Sequence, residues 1–366
     1  MTQEGSATVR PLPLDTWHGA RGARWVDRRG HRIPAHYGDA AAEARVVRVA
    51  CGLLDRSEIA RLELLGADRQ RFLNGLVTVD VVQLEEGRGI YGFATGPKGQ
   101  VLSDLALHCL ADRLWLELPS GLEGELRRHF EKYVVADRVE VLSLQEMLPL
   151  VLIGPGCEAA LASCGVEAPR SGWGNTRAAL FDSQVQLSRH ERLGESAVTV
   201  WTASAIADEI ADRLVSELGA VPVGDDAAEA LRVAAGIGRW GVDFGAHSLP
   251  QETGVEAAVD YRKGCYLGQE VVARLHYRGQ APRLLRSLVL PPTPPCRRGL
   301  EVRFENRAAG RLTSVALSQR GDRQVGLAML QRRASEPGTA VELEDGTPAV
   351  VCLAGGAVEA DLPRER

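Results

Sequence analysis

The sequence predicts an α+β protein, with two mixed α/β sheet domains followed by a C-terminal antiparallel β-barrel. Three observations carry that prediction. Strand patterns and amphipathic helices alternate in two stretches of similar size before residue 245. The run Leu290-Pro291-Pro292-Thr293-Pro294-Pro295 is a stiff, extended connector. Beyond it come short alternating segments with glycine-bearing turns, the pattern of a small barrel. A length of 366 residues allows two or three domains with sizeable cores. No fixed-period repeat is present, which excludes a solenoid.

Taken in order, residues 1 to about 35 are rich in Arg, Gly and Pro and read as an irregular lead-in. Asp39 is placed to cap a helix through Val49, with Gly52 just after. Alternation from Ile59 to Leu64 predicts a strand, and Asp68 a capped short helix ending at Asn74-Gly75. The Gly96-Pro97-Lys98-Gly99 turn joins strands Ile90 to Thr95 and Val101 to Leu110 in a hairpin. Leu114 to Leu118 adds a strand, and a helical stripe runs from Gly121 to Val135.

The middle third repeats the style. A strand at Leu148 to Ile153 is followed by a helix from Glu158 to Cys164. Strands follow around Ala178 to Phe181, Val185 to Arg189 and Ala197 to Trp201. Ser204 opens an amphipathic helix to Leu218, and Asp225-Asp226 open another over Ala227 to Ala235. The domains expected are 36–145, 146–280 and 281–356.

A formal charge of -5 lacks the basic footprint of a nucleic-acid-coating surface, which argues against direct nucleic-acid binding. No run approaches a membrane span, and the N-terminus has no signal-peptide core. Seven scattered cysteines, none in a two-residue-spaced pair, exclude zinc-ribbon, thioredoxin and ferredoxin readings. Reduced thiols in a cytoplasm account for them most simply.

The densest chemistry lies in Lys263-Gly264-Cys265-Tyr266-Leu267-Gly268-Gln269-Glu270. Gly264 and Gly268 allow positive φ or close approach on either side of the thiol. Residues Gln269 to Leu275 suit a helix or a buried strand. A helix would turn its N–H groups toward Cys265, and Lys263 would add positive charge, both favouring thiolate. The alternative is a small buried Cys265 and a solvated Lys263. His190, His247 and His276 are too far apart for a metal site and read as structural. Asp243 and Glu252 read as solvated, and Cys157 and Cys164 as core. Tyr91, Tyr266 and Trp240 either stack on a flat ligand or simply pack.

The octapeptide matches Lys-Gly-Cys-Tyr-x-Gly-Gln-Glu, and on it the chain resembles the YgfZ family of folate-binding proteins, linked to iron–sulfur maintenance and tRNA modification. These are relatives of the glycine-cleavage aminomethyltransferase (T-protein). Gly52 to Ser57, Arg71 to Thr78, the hairpin Tyr91 to Leu105, and Arg232, Gly236, Gly241, Asp243, Pro250, Glu252 and Gly254 continue the likeness across about residues 36 to 290.

That resemblance implies three domains in a ring around a cavity for tetrahydrofolate or a one-carbon derivative, with iron–sulfur client proteins or assembly factors as partners. The main expectation is a folate-binding protein supporting iron–sulfur assembly or repair, with Cys265 and Lys263 near the cavity. A folate-dependent aminomethyl or one-carbon transferase using Asp104 is one alternative, and a non-catalytic interaction module another. Ser188-Arg189-His190-Glu191-Arg192-Leu193-Gly194-Glu195, set on the T-protein pattern Ser-Arg-Thr-Gly-Tyr-Thr-Gly-Glu, puts Glu195 on the pterin, although the middle is not kept. Arg232 would serve the glutamate tail. Tyr91, Gly264, Tyr266, Gly268, Gln269 and Glu270 complete the expected binding set. Where the T-protein carries tandem aspartates this chain reads Ser103-Asp104, which weakens an aminomethyl-transfer reading; Asp104 can point to either face of its strand.

Overall fold

The computed structural model describes residues 9–170, 172–190, 192–318 and 322–354. Glu191 of the motif and residues 355–356 of the expected barrel lie outside the described residues.

A five-stranded antiparallel sheet runs in the order Gly89–Thr95, Val101–Cys109, Arg113–Leu118, Ala60–Leu65, Glu140–Ser143. Strand alternation divides its side chains between two faces. Leu105, Leu107 and Cys109 join Leu62, Leu64, Leu114 and Leu116 under the helices Arg69–Asn74 and Glu123–Glu131. The other face carries Tyr91, Phe93 and Asp104. The predicted hairpin forms, closed by a Gly96 N–H to Gln100 carbonyl bond of 2.9 Å.

A six-stranded sheet has the order Asn175–Leu180, Ser183–His190, Ala197–Ala203, Met147–Ile153, Gly52–Asp55, Val221–Pro222. It is antiparallel apart from its last pair. Both faces are apolar: Leu148, Leu150 and Leu152 meet helices Cys157–Ser163 and Ala207–Ser216, while Val151 and Ile153 meet Ala40–Val47 and Asp225–Ala234. Asp39 caps its helix as expected, accepting from the Ala41 N–H at 2.9 Å.

Six antiparallel strands close the C-terminal barrel, in the order Arg283–Leu290, Gln324–Gln331, Arg307–Leu317, Glu301–Phe304, Ala340–Leu343, Pro348–Leu353. The α+β class with two sheets and a closed barrel is therefore the observed one.

From residue 9 onward the lead-in forms regular elements, which corrects the sequence expectation for that part. Arg24–Arg28 and His31–His36 form a hairpin, joined in a small sheet by Arg10–Pro11. Its two-residue turn puts Arg29 and Gly30 at φ 54° and 75°. Such a turn normally advertises itself with Asn or Asp at the first position, and an arginine there gives no signal. Among the described residues no helix is long and apolar enough to cross a membrane.

Candidate functional site

A cavity of about 460 Å³ lies between the two large sheets, walled also by the Arg29 hairpin tip and the loop Ile237 to Val242. Its size suits a small organic ligand. In its wall Tyr91 donates its hydroxyl to Asp104 Oδ2 at 2.8 Å. Arg192 approaches the same oxygen at 3.4 Å and lays its guanidinium 3.8 Å from the centre of the Tyr91 ring. Trp173 stacks on Tyr91 with ring centroids 5.6 Å apart, and His190 stacks beyond Trp173 at 6.3 Å. Asp104 is 9% exposed, and its Oδ1 has no hydrogen-bond partner. A buried carboxylate oxygen without a partner is costly unless a ligand fills it.

Burial shapes the protonation here. It pushes the Tyr91 phenol well above its usual range, and Asp104 adds to the effect. It lowers His190 to about 4, which leaves the imidazole neutral at neutral pH. Burial works against the Arg192 cation, but Tyr91 and Asp104 more than offset it and the pKa rises. Glu117, half-buried in the cavity wall, is bound by His108 at 2.6 Å; burial raises its carboxyl, but the His108 bond together with the charges of His108, His190 and Arg56 brings the pKa below the usual value.

The lining also includes Arg29, Arg56, Glu58 and Arg239. Arg56 donates to Glu58 at 2.8 Å, while Glu58 Oε2 stays buried and unpartnered. Arg239 falls to about 10 through burial, although Glu229 opposes the shift; Arg29 and Arg232 nearby push it further down.

The expected site residues separate into two groups. Tyr91, Asp104 and Arg232 line the cavity; Cys265, Lys263, Glu195, Gly264, Tyr266, Gly268, Gln269 and Glu270 do not. Asp104 faces inward, whereas Ser103 is fully buried and its hydroxyl donates to the Asp104 carbonyl. The serine that replaces a second aspartate is therefore absent from the cavity wall and does not weigh against transfer chemistry there. Glu195 is half-buried and its carboxyl is raised by burial, with Arg48 as the opposing charge. It is not among the residues that line this cavity.

Arg232 is committed elsewhere. It donates to Asp243 and the Ile237 carbonyl at 2.8 Å and to Ser314 at 2.9 Å, and pairs with Glu229. Asp243 and Glu252, read as solvated, are buried at 3% and 2% exposure. A bulge between Leu312 and Ser314 lets two successive hydroxyls, Thr313 and Ser314, reach Asp243 Oδ1.

The octapeptide is a fastening. Lys263 Nζ donates to the carbonyls of Asn74, Val77 and Val79, each at 2.7 Å, so its charge is spent on backbone and not on Cys265. Tyr266 is buried in the cluster that also holds Tyr91 and Phe93. Gly268, at φ 81°, begins the helix Gln269–Arg278, while Gly264 lacks positive φ. Cys265 itself is exposed and is not among the residues that line the cavity.

Arg192, Trp173, His190, Glu117, Glu58, Arg29, Arg56 and Arg239 were missed as site residues. The signal for Arg192 was the break in the middle of the Ser188 to Glu195 pattern. Trp173 holds φ 61°, a conformation rare for a bulky residue and frequent at binding sites, but invisible in sequence.

Fold and site together define a protein with a cavity between two sheets whose wall carries two buried carboxylates, Asp104 and Glu58, each with an unpartnered oxygen. The chain belongs to the family described as the GCVT N-terminal domain, whose model matches residues 14–263. It is 29% identical over 335 residues to the aminomethyltransferase of Rubrobacter xylanophilus, covering 90% of this chain and 89% of that one. It is 26% identical over 344 residues to the aminomethyltransferase of Bacillus subtilis, covering 92% and 95%. The crystal structure of glycine cleavage system aminomethyltransferase T from Bartonella henselae superposes with a TM-score of 0.87 at 24% identity, covering 95% of this chain and 98% of that one; at that identity it speaks to the fold. The match shows the wider aminomethyltransferase-type family and does not reach the narrower YgfZ branch.

Proposed function

We propose that this protein binds a reduced folate in the cavity and acts as a folate-dependent one-carbon transferase, with Asp104 as the working carboxylate. The observation that carries the reading is the Asp104 carboxylate: one oxygen held by Tyr91, the other buried without a partner at the cavity. The family and the names of its relatives support it.

The residues suit a pterin. Glu58 Oε2 is a buried acceptor for an N–H edge, and Trp240 supplies a flat surface for a ring. When bound, the folate supplies the nitrogen that carries the one-carbon unit. Tyr91 fixes the rotamer of Asp104 and leaves the buried Oδ1 free to stabilise positive charge developing at the substrate nitrogen. His190, neutral at its low pKa, adds no positive charge to that of Arg192 beside Asp104.

The test is a tetrahydrofolate titration followed by tryptophan fluorescence, with one-carbon transfer measured in the same samples. The parent saturates, and Asp104→Asn retains binding but loses roughly a hundredfold or more in transfer, as removal of a single electrostatic stabiliser does elsewhere. Glu195→Ala binds as the parent does. An Asp104→Asn enzyme with undiminished transfer sinks the assignment.

The exposed Cys265 thiol favours a second reading, a redox or sulfur-handling role in support of iron–sulfur proteins. Loss of iron–sulfur enzyme activity in cells carrying only Cys265→Ser, with transfer intact, would select it.

A further inference from the structure

Asp104 and Arg192 stand 3.4 Å apart with opposite charge, and neither has its bonding capacity filled. Asp104 keeps Oδ1 unpartnered in a residue more than nine-tenths buried. Arg192 makes one hydrogen bond to backbone, from Nη2 to the Gly238 carbonyl at 3.1 Å, and otherwise leans on Tyr91 and Asp104. A guanidinium carries five N–H donors in a rigid fork, so donors remain to face the cavity that Arg192 lines. In the T-protein pattern this position is a tyrosine. The substitution puts a full cation, which a phenol cannot imitate, directly beside the carboxylate.

If the site only had to stabilise a developing positive charge, a cation at this spot would work against it. The arrangement makes better sense as a pair. We infer that Asp104 and Arg192 form a seat for a small zwitterionic co-substrate, an α-amino acid or N-substituted amino acid, beside the folate. Its amine meets Asp104 Oδ1 and its carboxylate meets the free N–H groups of Arg192. Both contacts are charge-assisted and directional, and the opposite order would set like charges together. The neighbouring His190 is neutral, while Glu117 on the same wall disfavours an anion that lacks an amine. The inference rests on the one-carbon-transfer reading of the site and names the class of its second substrate.

Isothermal titration of the full chain tests it, using N-methylglycine as the probe, with methylammonium and propionate as its two halves. Tetrahydrofolate is titrated separately into every sample. N-methylglycine saturates the parent and binds roughly tenfold or more tighter than either half. Arg192→Gln weakens N-methylglycine by roughly tenfold or more, while Arg192→Lys recovers part of the loss. Tetrahydrofolate affinity changes far less in both. Equal affinity for N-methylglycine and methylammonium in the parent overturns the seat, and so does N-methylglycine binding unchanged in Arg192→Gln. That comparison within the parent needs no variant to fold. Failure of tetrahydrofolate to saturate the parent is a separate outcome, and it removes the folate reading instead.

Discussion

Lys263 donates its ammonium to the carbonyl oxygen of Val77 at 2.7 Å, and at the same distance to those of Asn74 and Val79. One side chain thus ties the loop before the last long helix to the end of the helix Arg69–Asn74. Lys263→Met leaves three carbonyls short of a donor and is expected to cost about 2–4 kcal/mol in chemical denaturation. The pH dependence has a definite sign. Burial lowers the pKa from 10.5 to about 8, against the pull of Asp80 and Asp260. Between pH 8 and 10.5 the unfolded chain therefore holds more protons, and the parent gains stability relative to Lys263→Met as pH rises. A gap that narrows over that window shows instead that the fold favours the ammonium.

The two glycines of the octapeptide are not equivalent. A Cβ on Gly268 would lie 2.3 Å from the Gly96 carbonyl oxygen and 2.7 Å from the Gly99 nitrogen, at φ 81°. Backbone on that side cannot yield. Gly264 has nothing within 4 Å and an ordinary φ. Gly268→Ala is expected to lose about 2 kcal/mol or more, and Gly264→Ala to stay within about 0.5 kcal/mol. Matching melting curves for the two variants would refute the distinction.

What the sequence made legible was local. The Asp39 cap, the Gly96 to Gly99 hairpin and the helix stripes each depend on a few neighbouring residues, and each appears as expected. The cavity depends on sheet order, which brings Asp104 of one sheet to Arg192 at the end of another; no local pattern encodes that meeting. Alternation showed that Ser103 and Asp104 face opposite ways, but not which way is inward until the helices cover one face. The Lys263 error has another cause. Its partners are carbonyls, and carbonyls are the same whatever residue bears them.

Thiol chemistry should single out one position. Cys265 is exposed, Cys164 is half-buried, and Cys51, Cys109, Cys157, Cys296 and Cys352 are buried. Cys51 and Cys157 face each other at 3.4 Å between sulfurs inside the core. Titration of the native protein with an aromatic disulfide reagent is expected to show one fast equivalent, absent from Cys265→Ser, before any release on unfolding. Fast labelling that persists in Cys265→Ser places the reactive thiol elsewhere.

Arg232 provides the sharpest test of binding against architecture, because a tail-binding arginine and a structural one respond differently to removal. Its side chain is 2% exposed and holds Asp243, which is buried, together with Glu229. Through Ser314 the same network reaches the barrel, so the arginine joins the helix Asp225–Ala234 to a strand of another unit. Arg232→Met strands the Asp243 carboxylate without its cation, although the Arg239 N–H, Thr313 and Ser314 still donate to it. Loss of one partner from a buried pair typically costs about 3–5 kcal/mol. The combined change Arg232→Met with Asp243→Leu removes the stranded charge and should recover part of that loss. A stable Arg232→Met whose only defect is weaker folate binding would return the residue to the ligand; a large loss of stability, partly rescued by the second substitution, keeps it in the frame of the cavity.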